Sequence, residues 1–563
     1  MKINFIFFES FRLLLNFRPG KLLLLFILTL FLGAFGGFSI VLLIPLLQLL
    51  TTSTKSETNQ ITSFINELAA QIGIELNLET ILITYVVLLT TMALLQFWKG
   101  LINSSYQETF IYEIRRRLFR KIIMADWALL NNKSKTNHLQ VLSTEVPNLA
   151  DYYFFVLRML TGLIMTASYI AWAMLVSVKF TLFITFIGML LFLLLRKFLF
   201  KAFHLGEGYV NSYNHLLKYI DDFWLTVKMA KVHSTEAFYY KKFDSASSSL
   251  LDLEYRMQKN HSLPNLIYRI SGILVLVIVV YFGYRFELIP LTSFFILIVL
   301  FSRIYPQFTS LNTDLGMIIS NFPSVKLVMK LDTDFPEPVM HAHETQAPIP
   351  LIKEITIKNL NFSFPDGEKL FENFNENIPA FKLIGIIGES GRGKTTFLDL
   401  IAGLQLPLSG EISVDGQLLN REILPKWRTG IGYLPQDSFF IDGSLRDNLV
   451  WDSHRNITDA EIKNVLEQVN ALHLVDRFKK GLDEEIVNYP FHFSGGERQR
   501  LALARVLLRQ PHILLLDEAT SSLDTDNEKQ IMDLLTGLKT KVTIVFITHR
   551  TSVTPWFDKI IEL

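Results

Sequence analysis

The stretch GESGRGKTT at 388–396 follows a short apolar run, LIGII at 383–387, and leads into TFLDLIAGL. Strand, glycine loop and helix in that order build a phosphate cradle. Gly388, Glu389 and Ser390 open the loop. Backbone N–H groups of Gly391, Arg392, Gly393 and Lys394 can converge on phosphate oxygens, reinforced by the N-terminus of the helix. Lys394 adds a point charge, and the Thr395 hydroxyl, with Thr396 beside it, suits Mg2+. HILLLDEATSSLD at 512–524 supplies acids. Asp517 ends a buried-strand pattern and can reach Mg2+ through water, while Glu518 suits a general base for an attacking water. VTIVFITHR at 542–550 is another apolar strand, whose final His549 can donate a hydrogen bond to a terminal phosphate.

FHFSGGERQR at 491–500 is a second cradle, with Ser494, Gly495 and Gly496 at the start of a basic helix. One nucleotide needs one cradle, so the question is which nucleotide the second one touches.

The elements that must position these residues occupy one half of a divided chain. Of 563 residues, 50% are hydrophobic and 19% charged, with a formal net charge of +1. That is too apolar for an ordinary soluble protein. The balanced charge carries no sign of a nucleic-acid partner. Cysteine is absent, which excludes disulfides, thiolate metal sites and cysteine nucleophiles. Residues 351–563 read as an α/β domain, with β-branched strands alternating with helices. Residues 21–325 carry long apolar runs. Between them, at 326–350, proline and polar residues mark a linker.

Six runs with almost no charge, near 22–50, 80–98, 156–177, 180–200, 266–284 and 289–310, read as membrane spans. Arg115, Arg116, Arg117, Arg120 and Lys121 crowd the segment after the second run. Arg196, Lys197, Lys201, Lys218, Lys228 and Lys231 crowd the one after the fourth. The positive-inside rule then places both segments, both termini and residues 330–563 in the cytoplasm. Stretches 113–130 and 213–243 read as helices, so spans two to five should extend beyond the bilayer as rods. Residues 1–20 read as an amphipathic helix on the inner leaflet. Glu9 and Arg12 interrupt its apolar run, and it lacks the cleavage site of a signal peptide.

These motifs, in this order, resemble the ABC transporters, in the exporter-type half-transporter arrangement. The implied fold is a membrane all-α domain of six helices with long cytoplasmic extensions, fused to an α/β P-loop ATPase domain. GESGRGKT resembles Walker A and ILLLDE resembles Walker B. Gln436 in YLPQDSFF stands at the glutamine that, in the family, senses Mg2+ and contacts the transmembrane half. FSGGE stands at the signature, Asp524 at the end of the D-loop, His549 at the switch histidine, and Phe364 at the aromatic that stacks on adenine. The resemblance implies ATP and Mg2+ as cofactors. It gives catalytic roles to Glu518, His549, Gln436 and Lys394, and metal-side roles to Thr395, Gln436 and Asp517. It also implies two nucleotide domains head to tail. Ser494 and Gly496 of one chain then close on the γ-phosphate held by the other, so the second cradle serves the partner's ATP and a monomer should be nearly inactive. A homodimer in a bacterial cytoplasmic membrane is expected, with a heterodimer left open.

Three departures stand out. Phe493 replaces the usual signature leucine, Glu497 replaces the usual glutamine, and Val487–Pro490 replace a Gly-Glu-Arg-Gly-like stretch that contacts the membrane half in exporters. Within the spans, Arg269 and Arg303 suggest an amphipathic substrate with an anionic head group, a lipid, lipid-linked saccharide, peptide or drug, flipped or expelled from the cytoplasmic side. The competing reading is that both cations snorkel to membrane lipid phosphates. An ATP-gated channel or regulatory protein without a transport cycle is the alternative class, and intact Glu518 and His549 argue against it.

Overall fold

The structure, a computed structural model, describes residues 3–42, 77–131, 134–285, 291–336, 347–364, 367, 369–451, 455–487 and 493–563. It divides into two compact units, Met1–Ala125 with Leu129–Pro338, and Val339–Leu563 with Asp126–Ala128.

The first unit is helical. Helix α1 (Ile3–Asn16) is followed by α2 (Pro19–Val41), whose proline sits at the start, where no N–H is needed. Then come α3 (Leu78–Ile123), α4 (Val146–Val176), α5 (Val178–Leu194), α6 (Arg196–Val232), α7 (Glu236–Arg285) and α8 (Leu291–Asp334). At 46, 37 and 50 residues, α3, α6 and α7 far exceed what a bilayer needs. In α3 and α7 the apolar and charged sequence share one unbroken helix, and α6 carries the charged continuation of α5, which is the form expected of rods.

Among the described residues four helices are long and apolar enough to cross a membrane, or five if α5 and α6, bent by 40° at their junction, form one span. The predicted count of six is therefore not reproduced. Residues 43–50 of the first run and the opening of the sixth lie outside the described residues, as do Asn488–Pro490 among the signature departures. Helix α8 runs on to Asp334, so part of the stretch read as linker is helical.

Two tyrosines fasten α1 to the bundle. Tyr106 donates from its hydroxyl to the carbonyls of Leu14 and Phe17, both at 3.2 Å, and Tyr153 donates to the Ser10 carbonyl at 2.7 Å. Deeper in the bundle, Asp314 of α8 is 1% exposed and accepts from the Arg158 Nε of α4 at 2.7 Å. Sequence reading passed over this pair because Arg158 sits at the edge of an otherwise uncharged run. Loss of Arg158 would leave the Asp314 carboxylate buried without its partner.

The second unit contains two principal sheets. One is antiparallel, in the order β2-β1-β4-β5, from β1 (Glu354–Ser363), β2 (Lys369–Pro379), β4 (Ser409–Val414) and β5 (Gln417–Leu418). The other is parallel and holds β3 (Leu383–Ile387), β6 (Ile431–Leu434), β7 (Ile513–Asp517), β8 (Thr543–Ile547) and β9 (Lys559–Glu562), in the order β9-β3-β8-β7-β6. Leu514, Leu515, Ile544 and Val545 are fully buried, as a parallel sheet covered on both faces requires. Because these strands run the same way, the loops leaving β3, β6, β7 and β8 all emerge at one edge, where ligands bind in open α/β sheets.

Candidate nucleotide site

The loop between β3 and helix α9 (Lys394–Ile401) takes its shape from glycines. Gly391 and Gly393 adopt φ of +86° and +89°, a region that side chains disfavour. A Cβ on Gly393 would also lie 2.5 Å from Leu370, whereas one on Gly391 would meet open space. Gly391 thus lies in the part of the loop that a ligand can approach. Lys394, buried at the start of α9, donates from Nζ to the carbonyls of Gly388 at 2.9 Å and Glu389 at 2.8 Å. Its own charge thereby folds the loop around it. Burial lowers the Lys394 pKa, and the nearby Glu518 and Asp517 carboxylates act in the opposite direction.

Thr395, next on the helix, donates from Oγ1 to Asp517 Oδ2 at 2.7 Å. Burial raises the Asp517 pKa, against the Thr395 hydrogen bond. These two oxygens are a hard, partly anionic donor pair of the kind Mg2+ takes alongside water and phosphate. Among the described residues no three His, Asp or Glu side chains gather to hold a metal alone.

Glu518 joins three strands. Its N–H donates to the Ile547 carbonyl of β8 at 3.1 Å. Its φ is +50°, a conformation that costs a non-glycine residue about 1–3 kcal/mol and tends to persist at functional positions. One carboxylate oxygen accepts from Gln436 Nε2 at 3.0 Å; the other lies 3.3 Å from His549 Nε2. Gln436 follows β6 and His549 follows β8, so the edge of the sheet brings together three residues separated widely in sequence.

Ser494, Gly495 and Gly496 are placed differently. Ser494 is the N-cap of α10 (Gly495–Leu508) and forms a capping box: Glu497 N–H donates to its Oγ at 3.3 Å, and its own N–H donates to Glu497 Oε2 at 2.7 Å. Among the described residues no hydrogen bond or ion pair links Ser494–Gly496 to the 388–396 loop. Asp524 is an N-cap too, accepting from Asn527 N–H at 2.9 Å at the start of α11 (Thr525–Leu538). That bond holds its carboxyl below the usual range. Phe364 leaves β1 edge-to-face with Phe362, ring centroids 5.3 Å apart.

The two signature departures have physical grounds. Phe493 is 5% exposed and packs against Phe440 and Phe478, with centroids at 5.7 and 5.9 Å. Glu497 uses its second oxygen on Arg477, 3.0 Å away, which a glutamine could not do as an ion pair. Gln499 and Arg550 were not singled out from the sequence. Gln499 donates to Ser521 Oγ at 3.0 Å and accepts from Ser522 N–H at 3.1 Å, while Arg550 donates to the Ser521 carbonyl at 2.9 Å. Together they fix the segment after Glu518 to the signature helix. A polar residue one turn into an otherwise apolar helix face was the available signal for Gln499. In the first unit, Arg269 and Arg303 are both exposed and, among the described residues, make no hydrogen bond or ion pair.

Residues 22–307, half of the chain, match the family described as ABC transporter transmembrane region, and residues 371–521 match ABC transporter. The chain belongs to the ABC transporters, with a membrane region and an ATP-binding region in one polypeptide, the half-transporter layout of exporters. It is 35% identical over 37% of its length to a multidrug resistance ABC transporter ATP-binding and permease protein of Lactococcus lactis, covering 35% of that protein. It is 34% identical over 37% of its length to the ATP-dependent lipid A-core flippase of Pectobacterium atrosepticum, covering 36% of it. The chain thus spans about a third of the length of these curated relatives. Its fold matches a bacterial Atm1-family ABC exporter solved with ATP bound, at TM-score 0.75 and 19% identity, over 94% of this chain and 92% of that one.

Proposed function

We propose that two copies of this chain form an exporter that hydrolyses ATP, with Mg2+ as cofactor, to flip or expel an amphipathic substrate from the cytoplasmic side of a bacterial inner membrane. The observation that carries the reading is Glu518, set in a left-handed conformation beside Asp517 and reached on its two oxygens by Gln436 and His549. A carboxylate placed this way can accept a proton from a water attacking the terminal phosphate. Thr395 and Asp517 would hold Mg2+, which screens and polarises the phosphates. Lys394 and the loop N–H groups bind the phosphate chain, and His549 orients its terminal group.

Ser494 and the N-terminus of α10, capped within their own helix, are free to meet a phosphate carried by the second copy. Binding can drive a change in the membrane region only through a higher affinity for the closed pair. The relatives named for multidrug resistance and lipid A-core flipping support an amphipathic substrate. Arg269 and Arg303, exposed and unpaired among the described residues, fit an anionic head group. The test is ATP hydrolysis by the full chain in lipid, with and without candidate lipids and peptides. Arg269→Ala with Arg303→Ala should remove stimulation and leave basal turnover. Unchanged stimulation would remove the anionic-substrate reading.

A further inference from the structure

The helical unit contains a cavity of about 560 Å³ between α1, α2, α3 and α4. Phe11, Leu15, Leu23 and Phe26 give it an apolar floor, and Lys99 and Arg158 stand among its lining residues. Among the described residues no carboxylate lines it. Arg158 spends one side of its guanidinium on Asp314. Lys99 makes no hydrogen bond or ion pair among the described residues. A cation facing an apolar groove with no acid to meet it is the binding half of an ion pair.

Membrane depth fixes what could supply the other half. From Leu78, where α3 starts, to Lys99 is about 32 Å at the helical rise, the thickness of a hydrocarbon core. From Arg158 to Val176, where α4 ends, is about 27 Å by the same rise. Helix α2 begins at Pro19, so α2, α3 and α4 set Pro19, Lys99 and Arg158 at one boundary, on the side where the basic rods emerge. The groove therefore has apolar walls within the leaflet and cations at its phosphate level.

We infer that this groove binds an anionic diacyl phospholipid of that leaflet, with an acyl chain against Phe11, Leu15, Leu23 and Phe26 and the phosphate at Lys99 and Arg158. Basic pockets between membrane helices on this side select anionic head groups. The lipid is a resident, separate from any transported substrate, and fastens α1 to the bundle.

Native mass spectrometry tests this on the purified full chain, without ATP, so that its failure leaves the transport reading intact. The protein is offered equal amounts of phosphatidylglycerol and phosphatidylcholine with identical chains. Wild type should retain the anionic lipid preferentially. Lys99→Gln should cut that preference about fivefold, the effect of one cation near the surface, and Lys99→Arg should keep it. Thr161→Trp, which fills the groove, should lower retention of both lipids. Equal retention by wild type, or an unaltered preference in Lys99→Gln, overturns the assignment. So does efficient cross-linking of two copies through Leu15→Cys, the sole thiol in a chain without cysteine, because a second copy would then cover the groove.

Discussion

At the edge of the parallel sheet, Lys394, Thr395, Asp517, Glu518, Gln436 and His549 are bonded to one another or to the glycine loop. At the start of α10, Ser494 is bonded to Glu497, and Glu497 to Arg477. On the proposed reading, the first region supplies phosphate, metal and base positions within one chain. The second is rigid and oriented, but its bonds stay within its own neighbourhood. Two phosphate-binding devices in one chain can be built to different ends: one gathers its chemistry from four strands, and the other presents a helix end to something outside.

The largest effect expected is at the gathered region. Glu518→Gln keeps the hydrogen bond from Gln436 but cannot take a proton. ATP hydrolysis in lipid should fall about 10²–10⁴-fold, the usual worth of a general base, with nucleotide affinity retained. Near-normal turnover would take catalysis away from the sheet edge. The presented region is tested by Ser494→Asp. Aspartate caps a helix as well as serine does, so folding should survive. Its charge would face a phosphate, and turnover should drop at least about tenfold. Mixing this variant in equal amounts with Lys394→Ala, itself inactive, should restore turnover at about a quarter of the sites, as random pairing of two copies dictates. If the mixture stays inactive, Ser494 serves the nucleotide of its own chain and the contrast between the regions fails.

Much of the gathered region was legible because each part sits at the end of an apolar strand, and parallel strands must release their loops at one edge. The glycine loop, Asp517, Glu518 and His549 could therefore be placed from the sequence alone, and Gln436 through the resemblance of YLPQDSFF to the family's motif. What joins them could not. The left-handed turn at Glu518 and the ties through Gln499 and Arg550 depend on which side chains the packing brings within reach, and no spacing encodes that. Membrane helices were legible as apolar runs, and the helical stretches 113–130 and 213–243 announced the rods, but the exact helix ends were not legible. In α3 and α7 hydrophobicity stops while the helix continues, since backbone hydrogen bonding continues outside the bilayer. The Arg158–Asp314 pair joins α4 to α8 across a long stretch of chain and leaves no local pattern.

A subtler probe of the gathered region is Asp399, one turn beyond Thr395. Burial pushes its carboxyl up to about 6, the nearby Asp517 charge adds to that, and the Tyr433 hydroxyl, at 3.4 Å, opposes it. Its pKa is raised on folding, so its contribution to stability is full below the unfolded value near 3.9 and is lost as pH rises through about 6. Asp399→Asn should therefore raise the thermal midpoint of the full chain at pH 8 by the equivalent of about 1–3 kcal/mol, with little gain at pH 4. An equal gain at both pH values would show that ionisation is not the cause. The sheet edge would then carry less negative charge than the geometry suggests.

The smallest effect is expected where the sequence departs from the family at the presented region. Burial by itself would raise the Glu497 carboxyl, but the Ser494 N–H and Arg477 outweigh it and hold the group below the ordinary carboxylate range. A lowered pKa gives stability that is present above the unfolded value near 4.3 and lost as pH falls through the folded one. Glu497→Gln keeps an acceptor for the capping box and gives up the ion pair with Arg477, which is 45% exposed. A pair so open to solvent is worth less than about 1 kcal/mol. The variant should lose that much stability at pH 7, lose nothing below the folded pKa, and hydrolyse ATP within about twofold of wild type. A large fall in turnover with unchanged stability would mean that the carboxylate meets the partner's nucleotide or its metal directly. The presented region would then hold a charge of its own at the interface, and the division between gathered and presented chemistry would move from Ser494 to Glu497.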